Sequence, residues 1–246
     1  GAANFNVAVG YQSGQEITTG ISDTLIGGKA GDAMTTGTGN TAVGTSALGA
    51  TTVGNDNIAL GSKTLEGNVL GSASIAIGTK ALQDQAPSSA SNTYNVAIGH
   101  HAGKDISTGL NNVVIGALAG DALQDDSNNT IVGMGAATSA QTDNIVAIGF
   151  NAMEVATTAT RTTAIGPSVM ADGIATGADN TAIGSKSQLN VTSGAQNTSV
   201  GSLSMGVGVT TGNDNVAVGY LTGGALTSGN QNVLVGNQAG DAITIG

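Results

Sequence analysis

Read for apolar and polar positions, the chain repeats one short phrase. Asn-Val-Ala-Val-Gly at Asn6–Gly10 returns, slightly altered, at Asn40–Gly44, Asn57–Gly61, Asn95–Gly99, Asn180–Gly184 and Asn215–Gly219. Indexed on the closing glycine, the units end at Gly10, Gly27, Gly44, Gly61, Gly78, Gly99, Gly116, Gly133, Gly149, Gly166, Gly184, Gly201, Gly219 and Gly236. The spacing is 17 residues, broken by one 21, one 16 and two 18s. A fixed period of this size is the mark of an architecture built from stacked, near-identical turns.

The columns of the repeat predict its elements. The residue before each index glycine is aliphatic in all units, and the residue three before it is always Val, Ile or Thr. Between them stands Ala in nine units, and Leu25, Val114, Ile131, Ser199 or Leu234 in the others. Alternating side chains put the outer two columns on one face of a strand and the Ala column on the other. A strand apolar on both faces is expected to be covered on both. The bulky columns, Val7 and Val9 in the first unit, are expected to face the coil interior, and Ala8 a neighbouring chain.

Four residues before the glycine sits Asn in ten units, with Asp23, Ser74, Ile145 and Thr162 as exceptions. Asn suits a corner and, stacked in register, can form a ladder of amide hydrogen bonds. A second glycine follows ten residues after the first at Gly20, Gly37, Gly54, Gly71, Gly109, Gly194, Gly229 and Gly246. Each unit therefore reads as strand, glycine corner, second strand-like piece and Asn/Gly corner. Helix is not expected, because glycine and β-branched residues recur too often for a 3.6-residue stripe. The fold class is all-β: a parallel β-solenoid, or β-roll, of about fourteen coils in a single repeat domain over residues 1–246. One insertion, at about 83–92 around Pro87, is expected as a loop, and a register adjustment is expected between Gly133 and Gly149. One coil cannot offset the entropy of ordering itself, so stability must come from stacking on neighbours.

Composition narrows the function. Forty glycines, two prolines, no Trp and no Cys describe a core of small aliphatic residues and leave no cysteine chemistry. Six cations against sixteen acids, a net charge of −10, argue against nucleic acid and against anionic membrane surfaces. No run approaches the length of a membrane helix, so no membrane insertion is expected in this segment.

Candidate chemistry is sparse. The corner residues Asn6, Gly10, Asn40, Gly44, Asn57, Gly61, Asn95, Gly99, Asn180, Gly184, Asn215 and Gly219 read as structural. The position after the index glycine is the most variable and holds Tyr11, His100, Phe150 and Tyr220. Exposed aromatics there, with Tyr94 and the loop at Pro87, are the candidates for surface recognition. His100 and His101 are the metal candidates, but neighbours on a strand point apart, so no metal and no cofactor is expected. Lys29, Lys63, Lys80 and Lys186 lie two places after the glycine and Asp32, Glu66, Asp121, Glu154 and Asp241 five places after, a ridge read as solvated. Paired Thr or Ser residues, such as Thr18-Thr19 and Thr35-Thr36, admit an ice-binding ladder, although their register slips. No catalytic arrangement recurs, and an enzyme is not expected.

The Asn-x-[Val/Ile/Thr]-Ala-[Ile/Val]-Gly phrase resembles the head repeats of trimeric autotransporter adhesins, which form a left-handed β-roll of three chains. The longer period, with Thr35–Asn40, Thr227–Gly229 and Ala239–Ala242, is more similar to Gly-rich repeats of tail fibres and other appendages of bacterial viruses. The resemblance implies a left-handed, homotrimeric structural segment of a tail fibre or similar virion appendage, acting in host attachment. Its expected partners are two further copies of itself and a host-surface glycan or protein, and its expected location is extracellular, on the virion surface. The alternative is the head of a bacterial surface adhesin on the cell surface, with an ice-binding solenoid as a remote third.

Overall fold

A computed structural model describes residues 4–245, so Gly246, the last of the second glycines, lies outside the described residues. The described chain is all-β without helix. It falls into two compact units, Gly1–Ser127 and Asn128–Gly246, each a run of parallel β-solenoid coils.

In the first unit, β1 (Val7–Val9), β2 (Thr24–Ile26), β3 (Thr41–Val43) and β4 (Ile58–Leu60) are followed by the short β5 (Gly71–Ser72), β6 (Ile75–Ile77), the short β7 (Ser91–Asn92), β8 (Val96–Ile98) and β9 (Val113–Ile115). The three-residue strands stack in chain order, while β5 and β7 form a separate parallel pair beside the insertion. The second unit stacks β10 (Thr130–Val132), β11 (Val146–Ile148), β12 (Thr163–Ile165), β13 (Thr181–Ile183), β14 (Thr198–Val200), β15 (Val216–Val218) and β16 (Val233–Val235).

Pairing is column to column: Thr41 faces Ile58, Ala42 faces Ala59 and Val43 faces Leu60. The four inserted residues leave this unchanged, since Ile75 still pairs Val96. The unit one residue short also keeps its strands in step, with Thr130 opposite Val146. No register shift accompanies the deletion; the corner absorbs it, and Ile145 takes the place of the column asparagine.

Two expectations are corrected. The second strand-like piece is a chain of turns in nearly every coil. Residues two and four after the index glycine both take positive φ, as Ser46 (56°) and Leu48 (53°) do, which an extended strand excludes. Each closes a tight turn, with Ala47 N donating to Gly44 O and Gly49 N to Ser46 O at 3.3 Å. The strand faces are also the reverse of those expected. Ala42, Ala59, Ala76, Ala97, Ala147 and Ala164 are fully buried inside the coil, whereas Val43, Ile58, Ile98 and Ile183 are 37% exposed on the outside. In the edge strand β1, Val7 and Val9 are exposed rather than interior.

The physical reason is the thinness of the coil. In most coils the wall opposite the strand supplies one large apolar side chain from either of two places; the coil closed by Gly133 has Ala137 and Ala140 there, with the buried Ile131 on its strand. Where the fourth residue after the index glycine is large, as at Leu48, Leu65 or Leu82, the seventh is Thr51, Asn68 or Gln85; where the fourth is glycine, as at Gly31, Gly103 or Gly120, the seventh is Met34, Ile106 or Leu123, and all these large residues are fully buried. A methyl group on the strand is what fits beneath them. The larger exceptions in that column occur beside glycines: Leu25 lies against Gly14 and Gly31, and Leu234 against Gly223 and Gly240.

Candidate functional site

The most ordered polar feature is the asparagine column. Asn57 N and Nδ2 donate to Asn40 Oδ1 at 3.0 and 3.1 Å, and Nδ2 also donates to Gly71 O at 3.0 Å. Asn40 Nδ2 likewise reaches Gly54 O at 2.9 Å. The pattern recurs at Asn112 on Asn95, and at Asn215 on Asn197 with Gly229 O. Each amide therefore ties one coil to the next and also braces the second glycine of its own coil, and these asparagines are buried. Satisfying buried donors and acceptors in this way avoids a penalty of about 1–3 kcal/mol per group.

Where the column lacks Asn, the structure compensates unevenly. At Ser74, Gln85 from the start of the insertion supplies the missing amide: its Nε2 donates to Ser74 Oγ at 3.0 Å, and its Oε1 accepts from Asn95 Nδ2 at 2.9 Å. Ser74 Oγ also meets Thr93 Oγ1. At Ile145 the backbone N–H still donates to Asn129 Oδ1 at 2.9 Å. Asp23 accepts from Asn40 N and Nδ2, but its Oδ2 is buried without a hydrogen-bond partner, and burial pushes its carboxyl above the ordinary range.

The glycine columns follow from stacking. The index glycines have φ between 122° and 141°. A Cβ on Gly44 would come within 2.4 Å of Gly61 O in the next coil, and one on Gly37 within 2.6 Å of Gly54 O.

Among the surface candidates, Tyr11, Phe150 and Tyr220 are exposed by 74%, 50% and 50%. They stand separately in the column, although Phe150 has exposed Met134 and Pro167 at the equivalent places one coil before and after. Tyr94 is exposed and its hydroxyl accepts from Asn92 Nδ2 at 2.8 Å. Pro87 is corrected: it is buried with Cγ beside Gly71, while Ala86, Ser88, Ser89 and Ala90 around it are exposed.

His100 and His101 do not diverge. Positive φ at His101 turns it, and the rings stack at 4.0 Å and 12°. Burial and the neighbouring His100 lower the His101 pKa. No group of three or more His, Cys, Asp or Glu suited to a metal ion is found among the described residues. The charged ridge holds short-range pairs, Lys63 with Glu66 at 3.2 Å and Lys104 with Asp84 and Asp105. Arg161 grips Asp179 through two bonds of 2.7 and 2.9 Å, which lowers the Asp179 pKa. The Thr hydroxyls of the paired positions are engaged in stacking: Thr18 donates to Thr35 O, Thr35 to Thr52 O and Thr227 to Thr244 O. No pocket opens among the described residues.

The outward strand face is uniform in each unit. In the strands of both units it carries only Val, Ile, Leu and Thr, with no charge, on a chain of net charge −10. The uniformity of this face is legible in the repeat columns, but the size of its side chains suggests an interior. The reciprocal core positions four and seven after the glycine were missed, although their exchange is written within the chain itself. Comparison with protein-family models, with curated proteins and with solved structures finds no match.

Proposed function

We propose that this chain is a structural segment of a fibre, in which three identical copies pack through their outward Val/Ile/Thr strand faces. The observation that carries this reading is the charge-free strand face, which stays partly exposed in the single chain. Extended apolar surface of this kind marks an association site. In a chain of net charge −10, it is the surface on which copies meet with least repulsion. The Ala column, being interior, has no part in the contact. On the strength of the repeat's resemblance, the fibre is a tail fibre or similar appendage of a bacterial virus serving host attachment, with the exposed ridge at Tyr11, Phe150 and Tyr220 as the place for contacts to a host glycan or protein.

The deciding measurement is light scattering on the folded protein. The expected particle has three times the 23.6 kDa chain mass. A folded particle of single-chain mass overturns the assembly and the fibre reading with it.

A further inference from the structure

Asp23 is the one carboxyl in the asparagine column, and its geometry is that of an asparagine. Its Oδ1 does what the amide oxygens do, accepting Asn40 N at 2.9 Å and Asn40 Nδ2 at 3.1 Å. Its Oδ2 stands where the amide nitrogens stand. Measured from the place a Cβ would take on the glycine three residues earlier, Asp23 Oδ2 lies at 3.2 Å, Asn40 Nδ2 at 3.2 Å and Asn57 Nδ2 at 3.1 Å. Those nitrogens donate to Gly54 O and Gly71 O, fourteen residues on from each asparagine. The carbonyl fourteen residues on from Asp23 is that of Gly37. A carboxylate there would turn an oxygen lone pair toward a carbonyl oxygen in a fully buried place.

We propose that Asp23 is a proton-holding rung: folded, it keeps a proton on Oδ2 at pH values where the exposed carboxylates have lost theirs, and as a neutral acid it donates to Gly37 O in the manner of the asparagines. Deprotonation then weakens the joint between the coils closed by Gly10, Gly27 and Gly44, which makes stacking of these coils sensitive to pH. The groups that bond Asp23 along the column are the uncharged Asn6, whose Oδ1 accepts Asp23 N at 2.9 Å, and the uncharged Asn40, and no charged group acts on its carboxyl. Burial raises the carboxyl, and the two bonds from Asn40 act in the opposite direction without reversing it. An acid whose pKa is raised by folding binds its proton more tightly folded than unfolded. Its contribution is therefore full below the unfolded value of about 3.9 and is lost as pH rises toward the folded value.

Two measurements test this on the intact chain. With 13C-carboxyl-labelled aspartate, the Asp23 signal is expected to keep its protonated position while those of Asp125 and Asp179, whose pKa values are lowered, have already moved. An Asp23 signal that titrates together with them overturns the proposal. In urea unfolding, Asp23→Asn is expected to gain in midpoint over the wild type progressively as the pH rises above the unfolded value of about 3.9. Asn57→Asp, which places a second acid in the same column, is expected to acquire a further loss over that range. A wild-type to Asp23→Asn difference that does not change with pH overturns the inference.

Discussion

At the scale of single residues, this chain assigns side chains by what lies one coil away. Gly99 and Gly236 share a positive φ, 141° and 127°, so alanine strains the backbone at both. Only Gly99 has a carbonyl above it, with Gly116 O 2.5 Å from where a Cβ would sit, whereas the nearest atom at Gly236 is Ala239 Cβ at 3.8 Å. Gly99→Ala is expected to destabilise by about 2–4 kcal/mol more than Gly236→Ala, read as the shift in denaturant midpoint. Asn57→Ala leaves Ser74 N without its partner and removes one of the two donors to Gly71 O, which keeps Asn68 Nδ2. Its expected loss is about 2–4 kcal/mol, measured the same way, and a loss below ~0.5 kcal/mol would show that the amide column is not under tension from burial. Both columns were legible in the sequence because stacking forces the same residue type into every coil. The state of Asp23 was not, since a carboxyl and an amide have the same outline and differ only in whether the second atom has a hydrogen to give.

At the scale of the element, the coil is a container with a fixed volume and two places from which to fill it. Gly103 takes a φ of 54° that Leu48, Leu65 and Leu82 also adopt, so leucine there is conformationally precedented. Its Cβ would lie 2.8 Å from Ile106 Cδ1, so the obstacle is space. Gly103→Leu alone is expected to cost about 1–3 kcal/mol by overpacking, and Ile106→Ala alone about 2–4 kcal/mol by leaving a cavity. The double variant is expected to recover at least ~1 kcal/mol of the summed loss. A strictly additive cycle would show that the two positions do not share one volume. The insertion has its own anchor, and Gln85→Ala is expected to destabilise the coil at Ser74 more than loss of any exposed loop residue, as read by amide exchange at Asn95. Period, strand position and parallel stacking were legible because they depend only on recurrence. The choice of face was not, because inward and outward columns are both apolar. What separates them is the volume that the opposite wall contributes, and that wall is made of turns whose two filling positions vary reciprocally.

At the scale of the molecule, the proposed fibre gives the apolar outward face and the net charge of −10 separate parts in association. In that proposal the face is the contact without charge, and the net negative charge discourages unspecific approach. Ile98→Lys, on the outside of β8, is expected to lower the particle mass in light scattering while leaving the circular dichroism of the coil intact. An unchanged mass would place the contact elsewhere on the surface. Raising the salt concentration is expected to leave the assembly in place, because the proposed contact contains no ion pair for salt to screen.

The column-to-column pairing, unshifted by the four-residue insertion or the one-residue loss, has a consequence for how such a chain changes in length. Each coil carries its own filling and offers the same joint above and below, so it behaves as an interchangeable link. Removing Thr45–Gly61 as a block brings Gly44 to Ser62 and Ala42 to Ala76, the same neighbours in kind. The shortened chain is expected to fold with one strand fewer, whereas a cut of eight residues in the same place is expected to abolish stacking there. Reach can thus be adjusted in steps of about 4.8 Å by copying or dropping whole links, with no other part of the protein required to adapt.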